Sequence, residues 1–560
     1  MKIILNSTSF LLPNNENWNH LRKDNDIFFS NYGDINNNEI IDDKIEAEIT
    51  LFFLPDLFDY YQNNKINHKS HLKKIKNIIR LIRNKIKASD KNFIIAVSEY
   101  FYYNVINFSK NVNFSTKIKI FFIDELYKLT KKYNNLFIID LDNIFSEYGY
   151  QNCLDQRNYY MFRCRLSTFG IEIISKNLKD ITDRIKHTNK KVLLVDCDNT
   201  LWGGVLAEDG IENIQIGQDG IGAAFSDFQR AIIKIKNSGV LIILVSKNEK
   251  SDIEKVLKTH QSMILKKKDV TAMKVNWNEK SSNIKQLSSD LSLGLNSFVF
   301  WDDNPIEREK VRAQLKDVDV IEPTVDVTNW PKQLLEYKGF SKFIISKEDG
   351  TKTKQYKIRE KFEQDKHSSR DEINYLKSIK IKPRIIKIDK STINRTVQMC
   401  QKTNQFNLRT KKYDVKDILR LNDKNISFLV KLKDSYGDHG IVSFVSLKVE
   451  NDKFIFVDTF LMSCRILGRY LEFWILNEIK KIAIKKKIEH ILIEYIPTKR
   501  NIVAKNFIIK NRLEVISKKR AEEYSIFLKK LKKESTNSEF YILSTNKTIS
   551  SLEIYEKNRK

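Results

Sequence analysis

Glycine and proline are scarce in this chain, with 16 glycines and 7 prolines in 560 residues, about a third of the usual share. That excludes collagen-like and linker-type chains. Six of the 16 glycines fall in one short stretch, at Gly203, Gly204, Gly210, Gly217, Gly220 and Gly222. A chain this sparing with glycine places it where the backbone requires it. Cysteine is scarce too. Cys153, Cys164, Cys197, Cys400 and Cys464 are odd in number and scattered. They form no disulfide framework and no zinc spacing, and they fit a reducing compartment. No run of 18 apolar residues occurs, so no transmembrane helix is expected. The start, Met1-Lys2-Ile3-Ile4-Leu5-Asn6-Ser7, has too short an apolar run for a signal peptide and no small-residue cleavage site. The expected location is cytoplasmic, with no membrane insertion.

Negative charge is the other deficit. The 98 Lys+Arg against 71 Asp+Glu leave a net charge of +27. Such a balance suits nucleic acid, an anionic membrane, phosphorylated substrates or an acidic protein partner. The lysines are spread through a chain also rich in Asn and Ile, as an AT-rich genome would give, so no nucleic-acid partner is expected. What is present in quantity is core material. A 41% apolar share with 33 Phe and 22 Tyr excludes global disorder. The length predicts three or four domains at about 150 residues each.

Residues 1–186 alternate short apolar runs, at 3–5, 49–54, 93–97 and 136–139, with polar helical stretches, which predicts an α/β region. Residues 187–335 repeat that pattern more clearly. Buried strands at 191–195, 240–245 and 297–301 are separated by helical periods at 224–237 and 281–291, so a parallel sheet is expected. Pro323 and Pro331 mark its end. Residues 336–383 read as a charged helical connector with a loose tract around 346–353. A last unit, 384–545, opens with an antiparallel meander of strands at 426–432, 441–449 and 454–460. A turn at 465–469, a helix at 470–485, a strand at 490–495 and a helix at 501–511 follow.

The sharpest signal is Val195-Asp196-Cys197-Asp198-Asn199-Thr200-Leu201-Trp202-Gly203-Gly204. Positions i and i+2 of extended backbone share one side, so Asp196 and Asp198 can converge beyond the strand. A second strand ends in Ser246-Lys247-Asn248 and a third in Asp302-Asp303-Asn304-Pro305. Open parallel sheets bind ligands beyond the carboxyl ends of their strands. Clustered carboxylates repel and raise one another's pKa unless a cation neutralises them. Oxygen donors without Cys/His spacing favour Mg²⁺. Within such a site a carboxylate can attack phosphorus and a second can move the proton. Ser246 can hydrogen-bond a phosphoryl group and Lys280 can pair with its charge. Lys280 stands near a helix start, where the dipole disfavours a cation unless an anion lies there, and Lys274 competes for its role. Cys197, between the two acids, is expected to point into the core as packing, the alternative being a thiol that holds an acyl group.

This set resembles the haloacid dehalogenase (HAD) superfamily: Asp196-x-Asp198-x-Thr200, Ser246, Lys280 and Asp302-Asp303. Its surroundings resemble the FkbH-like branch, subfamily IIIC, through Leu201-Trp202-Gly203-Gly204-Val205, Glu208-Asp209-Gly210, Ser246-Lys247-Asn248, Trp277-x-x-Lys280 and Asp302-Asp303-Asn304-Pro305-x-Glu307-Arg308. The resemblance spans about 90–510. It implies a Rossmann-like central domain with Asp196 as phosphoryl-accepting nucleophile and Asp198 as general acid/base. It also implies Mg²⁺ held by Asp196, the Asp198 carbonyl and the Asp302/Asp303 pair, under a small glycine-rich flap. Proteins of this branch that make glyceryl-carrier thioesters from 1,3-bisphosphoglycerate would use a cysteine early in the strand before Asp196; Val192 stands there.

The strand, loop, helix, strand order of the last unit resembles a GNAT acyltransferase, an α+β fold. Arg465-Ile466-Leu467-Gly468-Arg469-Tyr470 stands where that family has its phosphate loop, with Tyr470 in place of a small residue. Backbone N–H groups at a helix start can cradle the phosphate of CoA or phosphopantetheine. Arg465 and Arg469 would contact it. His439, in Gly437-Asp438-His439-Gly440, is expected either as a base on a thiol or as a turn residue. Cys464 is expected as packing, or else as an acyl carrier. The amino-terminal region resembles an SGNH-hydrolase fold, but Ile3-Ile4-Leu5-Asn6-Ser7-Thr8-Ser9, where that fold would place Gly-Asp-Ser, lacks the Gly and the Asp, and the region is expected to be non-catalytic. Together these resemblances imply a Mg²⁺-dependent phosphatase or phosphotransferase coupled to acyl transfer. Its substrate would be a small phosphorylated acid, and its partner an acidic acyl carrier protein. A plain sugar- or acid-phosphate phosphatase and a non-enzymatic docking protein are the alternatives.

Overall fold

The computed structural model describes residues 1–31, 33, 45–57, 68–99, 114–186, 189–341, 352–369, 371–450, 453–498, 501–516, 524, 527–528, 537–549 and 552–555. Two compact units divide the chain, Met1–Thr188 and Asn189–Lys560.

The first unit is built on a five-stranded parallel sheet of β1 (Lys2–Ser7), β2 (Asp26–Phe29), β3 (Ala47–Phe53), β4 (Asn92–Ser98) and β5 (Leu136–Asp140). Its strand order is β2-β1-β3-β4-β5. Strand alternation explains its layers. Ile49, Leu51 and Phe53 face a core closed by Ile171, Ile174 and Leu178 of the helix Thr168–Lys186. Phe52 faces the opposite core, closed by Ile78 and Ile82 and by Phe122 and Leu126. Both faces are covered, so the strands read as continuous apolar runs. The edge strand β2 is half exposed and carries no such run, which is why the pattern does not announce it.

Among the described residues the second unit holds two sheets. The first comprises β6 (Val192–Val195), β7 (Leu241–Ser246), β8 (Ala272–Val275), β9 (Phe298–Trp301) and β10 (Asp319–Val320). All pairs are parallel, in the order β10-β9-β6-β7-β8. Leu193, Val195, Ile242 and Leu244 face one core, and Val192, Leu194, Ile243 and Val245 the other. β6 lies between β7 and β9, at the point where the strand order reverses, which is where such sheets place their ligand crevice.

The other sheet comprises β11 (Lys382–Ile386), β12 (Phe406–Asn407), β13 (Ile426–Asp434), β14 (Gly437–Glu450), β15 (Phe454–Met462), β16 (His490–Tyr495), β17 (Glu514–Val515) and β18 (Glu539–Ser544). Its order is β11-β13-β14-β15-β16-β18-β17, with β12 paired to β15. β15 and β16 form its parallel pair, and the helix Leu471–Lys485 crosses between them, as a parallel connection requires. The fold class is therefore the expected one: α/β with parallel sheets, followed by an α+β portion. Within 336–383 stand the helices Lys352–Ser368 and Glu372–Ser378 and the start of β11. Most of the loose tract expected around 346–353 lies outside the described residues.

Gly170 illustrates how tightly the first unit packs. A Cβ at this position would lie 1.9 Å from the Cys153 carbonyl oxygen, and backbone cannot yield as a side chain can. Gly170→Ala is expected to destabilise Met1–Thr188 by about 3 kcal/mol or more. Amide exchange should report the loss within that unit while the second unit keeps its protection.

Candidate active site

β6 delivers Asp196, Asp198 and Thr200 to the rim of the sheet; β7 delivers Ser246 and Asn248; β9 delivers Asp302 and Asp303. The structure brings these residues together. Lys280, the first residue of the helix Lys280–Leu291, places Nζ 3.0 Å from Asp196 Oδ1 and 2.6 Å from Asp302 Oδ2. All three side chains are buried. Burial opposes the Lys280 charge, but Asp196 and Asp302 outweigh it and hold the ammonium above the ordinary lysine range. Burial, followed by repulsion from Asp196, pushes Asp302 up to about 6 even with Lys280 in contact. Burial and Asp196 raise Asp303 as well. Lys274, the competitor for this role, pairs instead with Asp290 at 3.2 Å.

Each remaining acid has its own holder. Thr200 Oγ1 donates to Asp303 Oδ1 at 3.0 Å and accepts from Asp303 N at 3.3 Å. Arg308 Nη1 donates to the carbonyls of Asp302 (2.9 Å) and Asp303 (2.7 Å), fixing the turn that carries both. The Asp198 carboxylate accepts from Trp202 Nε1 (3.1 Å), Leu206 N (2.9 Å) and Asn248 Nδ2 (2.8 Å). Asn248 Nδ2 also donates to Ser246 Oγ at 3.1 Å, so Ser246 sits beside the acid. The glycine-rich flap is tied down by the same means: Gly204 N donates to Asn199 Oδ1 at 2.9 Å. The supporting residues Trp202, Asn248 and Arg308 lie in the motifs quoted above, but their types alone do not disclose which acid each holds. Cys197 is fully buried in the core, where burial and Asp196 push its thiol well above its usual range.

Carboxylate oxygens of Asp196, Asp302 and Asp303 lie within 4.8 Å of one another. Hard oxygen donors gathered in a buried, electrostatically strained group fit Mg²⁺. The Asp198 carboxylate is not in this group; its three donors hold it on the flap side.

The residues expected around an acyl-carrier phosphate are placed differently. Arg469 is wholly buried, with Nε 2.7 Å from Asp434 Oδ2 and its guanidinium 3.8 Å from the Phe362 ring centroid. His439 Nε2 lies 2.9 Å from Asp434 Oδ1, also buried. Burial alone would raise Asp434, but His439 and Arg469 reverse this and hold its carboxyl below the usual range. His439 and Arg469 therefore share one buried carboxylate, where the sequence leaves His439 as a thiol base or a turn residue and makes Arg469 a phosphate contact. Their partner sits at the end of β13, where nothing in the local pattern marks it. Arg465 donates to Gln355 Oε1 (2.6 Å) and to the His439 carbonyl (2.7 Å). Gly468 has φ +87° and faces Phe362, Glu363 and Lys366 of the helix Lys352–Ser368. Cys464 Sγ lies 3.6 Å from Tyr356 OH.

β15 and β16 pair from Phe454 with His490 as far as Val457 with Ile493 and then part. The opening is filled by the chain itself. β12 pairs with the end of β15, Leu408 N donates to Phe460 O, and Ile496 N donates to Leu408 O. Arg409, buried, reaches Asp458 on β15 and Glu494 on β16. In the first unit, Ser7 Oγ accepts from Ser9 N at 3.0 Å, and Arg165 pairs with Asp56 at 2.6 Å.

No protein-family model matches the chain, and no curated protein matches it. Among solved structures it is similar to the N-terminal part of the protein BF1531 from Bacteroides fragilis, containing a phosphatase domain complexed with Mg. The identity is 27%, over 60% of this chain and 93% of that one, with a TM-score of 0.49. It is also similar to Rv2747 from Mycobacterium tuberculosis in complex with CoA and NLQ, at 11% identity over 29% and 98% of the two chains and a TM-score of 0.23. A GNAT-family acetyltransferase from Staphylococcus aureus Mu50 matches at 14% identity over 30% and 100%, with a TM-score of 0.20.

Two outcomes are expected. A carboxyl held near 6 binds its proton more tightly folded than unfolded, so in metal-free protein its contribution to stability falls as pH rises from the ordinary carboxylate value to about 6. A cation binds the ionised form, so added Mg²⁺ should raise the unfolding temperature more above pH 6 than below it. Equal stabilisation on both sides would contradict this placement. Asp434→Asn strands the buried Arg469 cation and should cost about 3–5 kcal/mol, read by chemical denaturation.

Proposed function

We propose that the chain is a Mg²⁺-dependent enzyme of HAD type that removes phosphate from a small phosphorylated acid and loads the acyl group onto an acyl carrier protein thiol. The observation that carries the phosphoryl half is the buried Lys280 ammonium joined to both Asp196 and Asp302, beside Asp303, at the switch point of a parallel sheet. The Bacteroides fragilis phosphatase domain, complexed with Mg, supports that half of the reading. The acyl half rests on the GNAT and FkbH-like resemblances, with a polyketide-like or surface-glycan setting and a cytoplasmic location.

In this reading Asp196 attacks phosphorus as the bond to the leaving oxygen breaks, and Asp198 gives that oxygen its proton. Water then attacks the aspartyl-phosphate, returning a proton to Asp198 and releasing phosphate. Lys280 and Ser246 hold the transferring oxygens. A bound Mg²⁺, held by Asp196, Asp302 and Asp303, supplies charge neutralisation there. The substrate class is a glycerate-like acid carrying both a phosphate ester and an acyl phosphate. A carrier thiol displaces the acyl phosphate, because a free carboxylate does not acylate a thiol.

A second reading, a phosphatase of a sugar or acid phosphate with structural flanking portions, is favoured by the buried His439–Asp434–Arg469 cluster and the filled opening between β15 and β16. The two readings separate experimentally. Asp196→Asn should lower phosphate release at least about 10³-fold, while intact-mass analysis of an incubated carrier protein detects loading. No release from any small phosphate tested would overturn both readings, and release without any loading would leave the second.

A further inference from the structure

The helix Lys280–Leu291 presents Lys280 to the acids at one end and reaches Asp290 and Leu291 about 15–17 Å away at the other. Its last carbonyls lack partners within the helix, and its C-terminal dipole favours a cation. Arg359 supplies one. This side chain, 2% exposed, donates through Nε to the Asp290 carbonyl at 3.1 Å and through Nη2 to Ser292 Oγ and Glu363 Oε1. Its remaining arm, Nη1, donates to the carbonyl of Cys464 in the loop 463–470. One rigid planar fork therefore joins the far end of the helix that aims Lys280 to the loop following β15. Tyr356, one turn earlier, reinforces the joint by packing within the core of the β6–β9 sheet and against Cys464.

We propose that Arg359 is a positioning residue that couples the loop 463–470 to Lys280 through the axial placement of the helix Lys280–Leu291. A rod held at one end by Lys280 on Asp196 and Asp302 and at the other by Arg359 on its last turn cannot shift at one end alone. Displacement of the loop moves the Cys464 carbonyl, the guanidinium follows, and the lysine contact with Asp196 and Asp302 tightens or loosens accordingly. The coupling itself is independent of the phosphatase reading; only its kinetic consequence rests on that reading.

The test is a cycle on the full chain: native protein, Gly468→Ala, Arg359→Met and the double variant. Gly468→Ala perturbs the loop, because Gly468 has φ +87° and alanine is strained there. With Arg359 present, Gly468→Ala should speed amide exchange across Lys280–Leu291 about fivefold or more. With Arg359→Met that response should vanish. No change in the helix when Arg359 is present, or the same change in both backgrounds, overturns the coupling. If Arg359→Met fails to fold, Arg359→Lys keeps the charge and loses the fork, and the same outcomes apply. A kinetic cycle with p-nitrophenyl phosphate should follow the same pattern in kcat with KM unchanged. Absence of phosphate release from this probe counts against the phosphatase reading, and the exchange cycle still decides the coupling.

Discussion

Everything at the rim of the β6–β9 sheet depends on one buried cation between two buried carboxylates. Removing Asp196 and Asp302 from water is costly unless the charge is answered, and Lys280 answers both from a helix start whose dipole opposes it. That arrangement is unfavourable as a stability device and sensible as a site held ready for an anion. Thr200, Arg308, Asn248 and Trp202 serve the same end, each holding one acid or its backbone so that mutual repulsion does not scatter the group.

The α+β portion solves a similar problem differently. Asp434 is shared by His439 and Arg469, and Phe362 covers the guanidinium, so the charges are used up in holding β13, β14 and the loop 463–470 to the helix Lys352–Ser368. That helix is the physical joint of the second unit. Its Tyr356 packs in the core beneath β6, β7 and β9 and its Arg359 holds the far end of the helix Lys280–Leu291, while its Phe362 and Glu363 face the loop.

The legible and illegible parts of the chain divide along physical lines. Strands buried on both faces announce themselves as unbroken apolar runs, so β1, β3, β4, β6, β7, β9 and β13 to β16 are visible in the amino-acid order; β5 is a mostly half-buried edge strand and is visible because residues 136–139 are all apolar. The edge strands β2, β10 and β11 are short and half exposed and carry no such mark. The acids of the candidate site are legible because their spacing and their strand-end positions coincide. The choice of Lys280 over Lys274 is supported by the helix that Lys280 opens. His439 and Arg469 mislead because a glycine-flanked histidine and a loop arginine look available in one dimension, whereas burial and a shared carboxylate 35 residues before Arg469 are three-dimensional facts. Arg359 is illegible for the same reason: it lies in the charged helical connector 336–383, where nothing in the local pattern marks it.

The filled opening between β15 and β16 has a kinetic meaning. Any extended ligand entering there competes with the chain's own backbone at 406–409, which is tethered and therefore always at high effective concentration. Entry would then wait on local opening of that segment, and the observed association rate would level off with ligand concentration at the opening rate instead of rising without limit. A portion of the molecule that looks closed in its resting form would thus behave as a timer as much as a barrier.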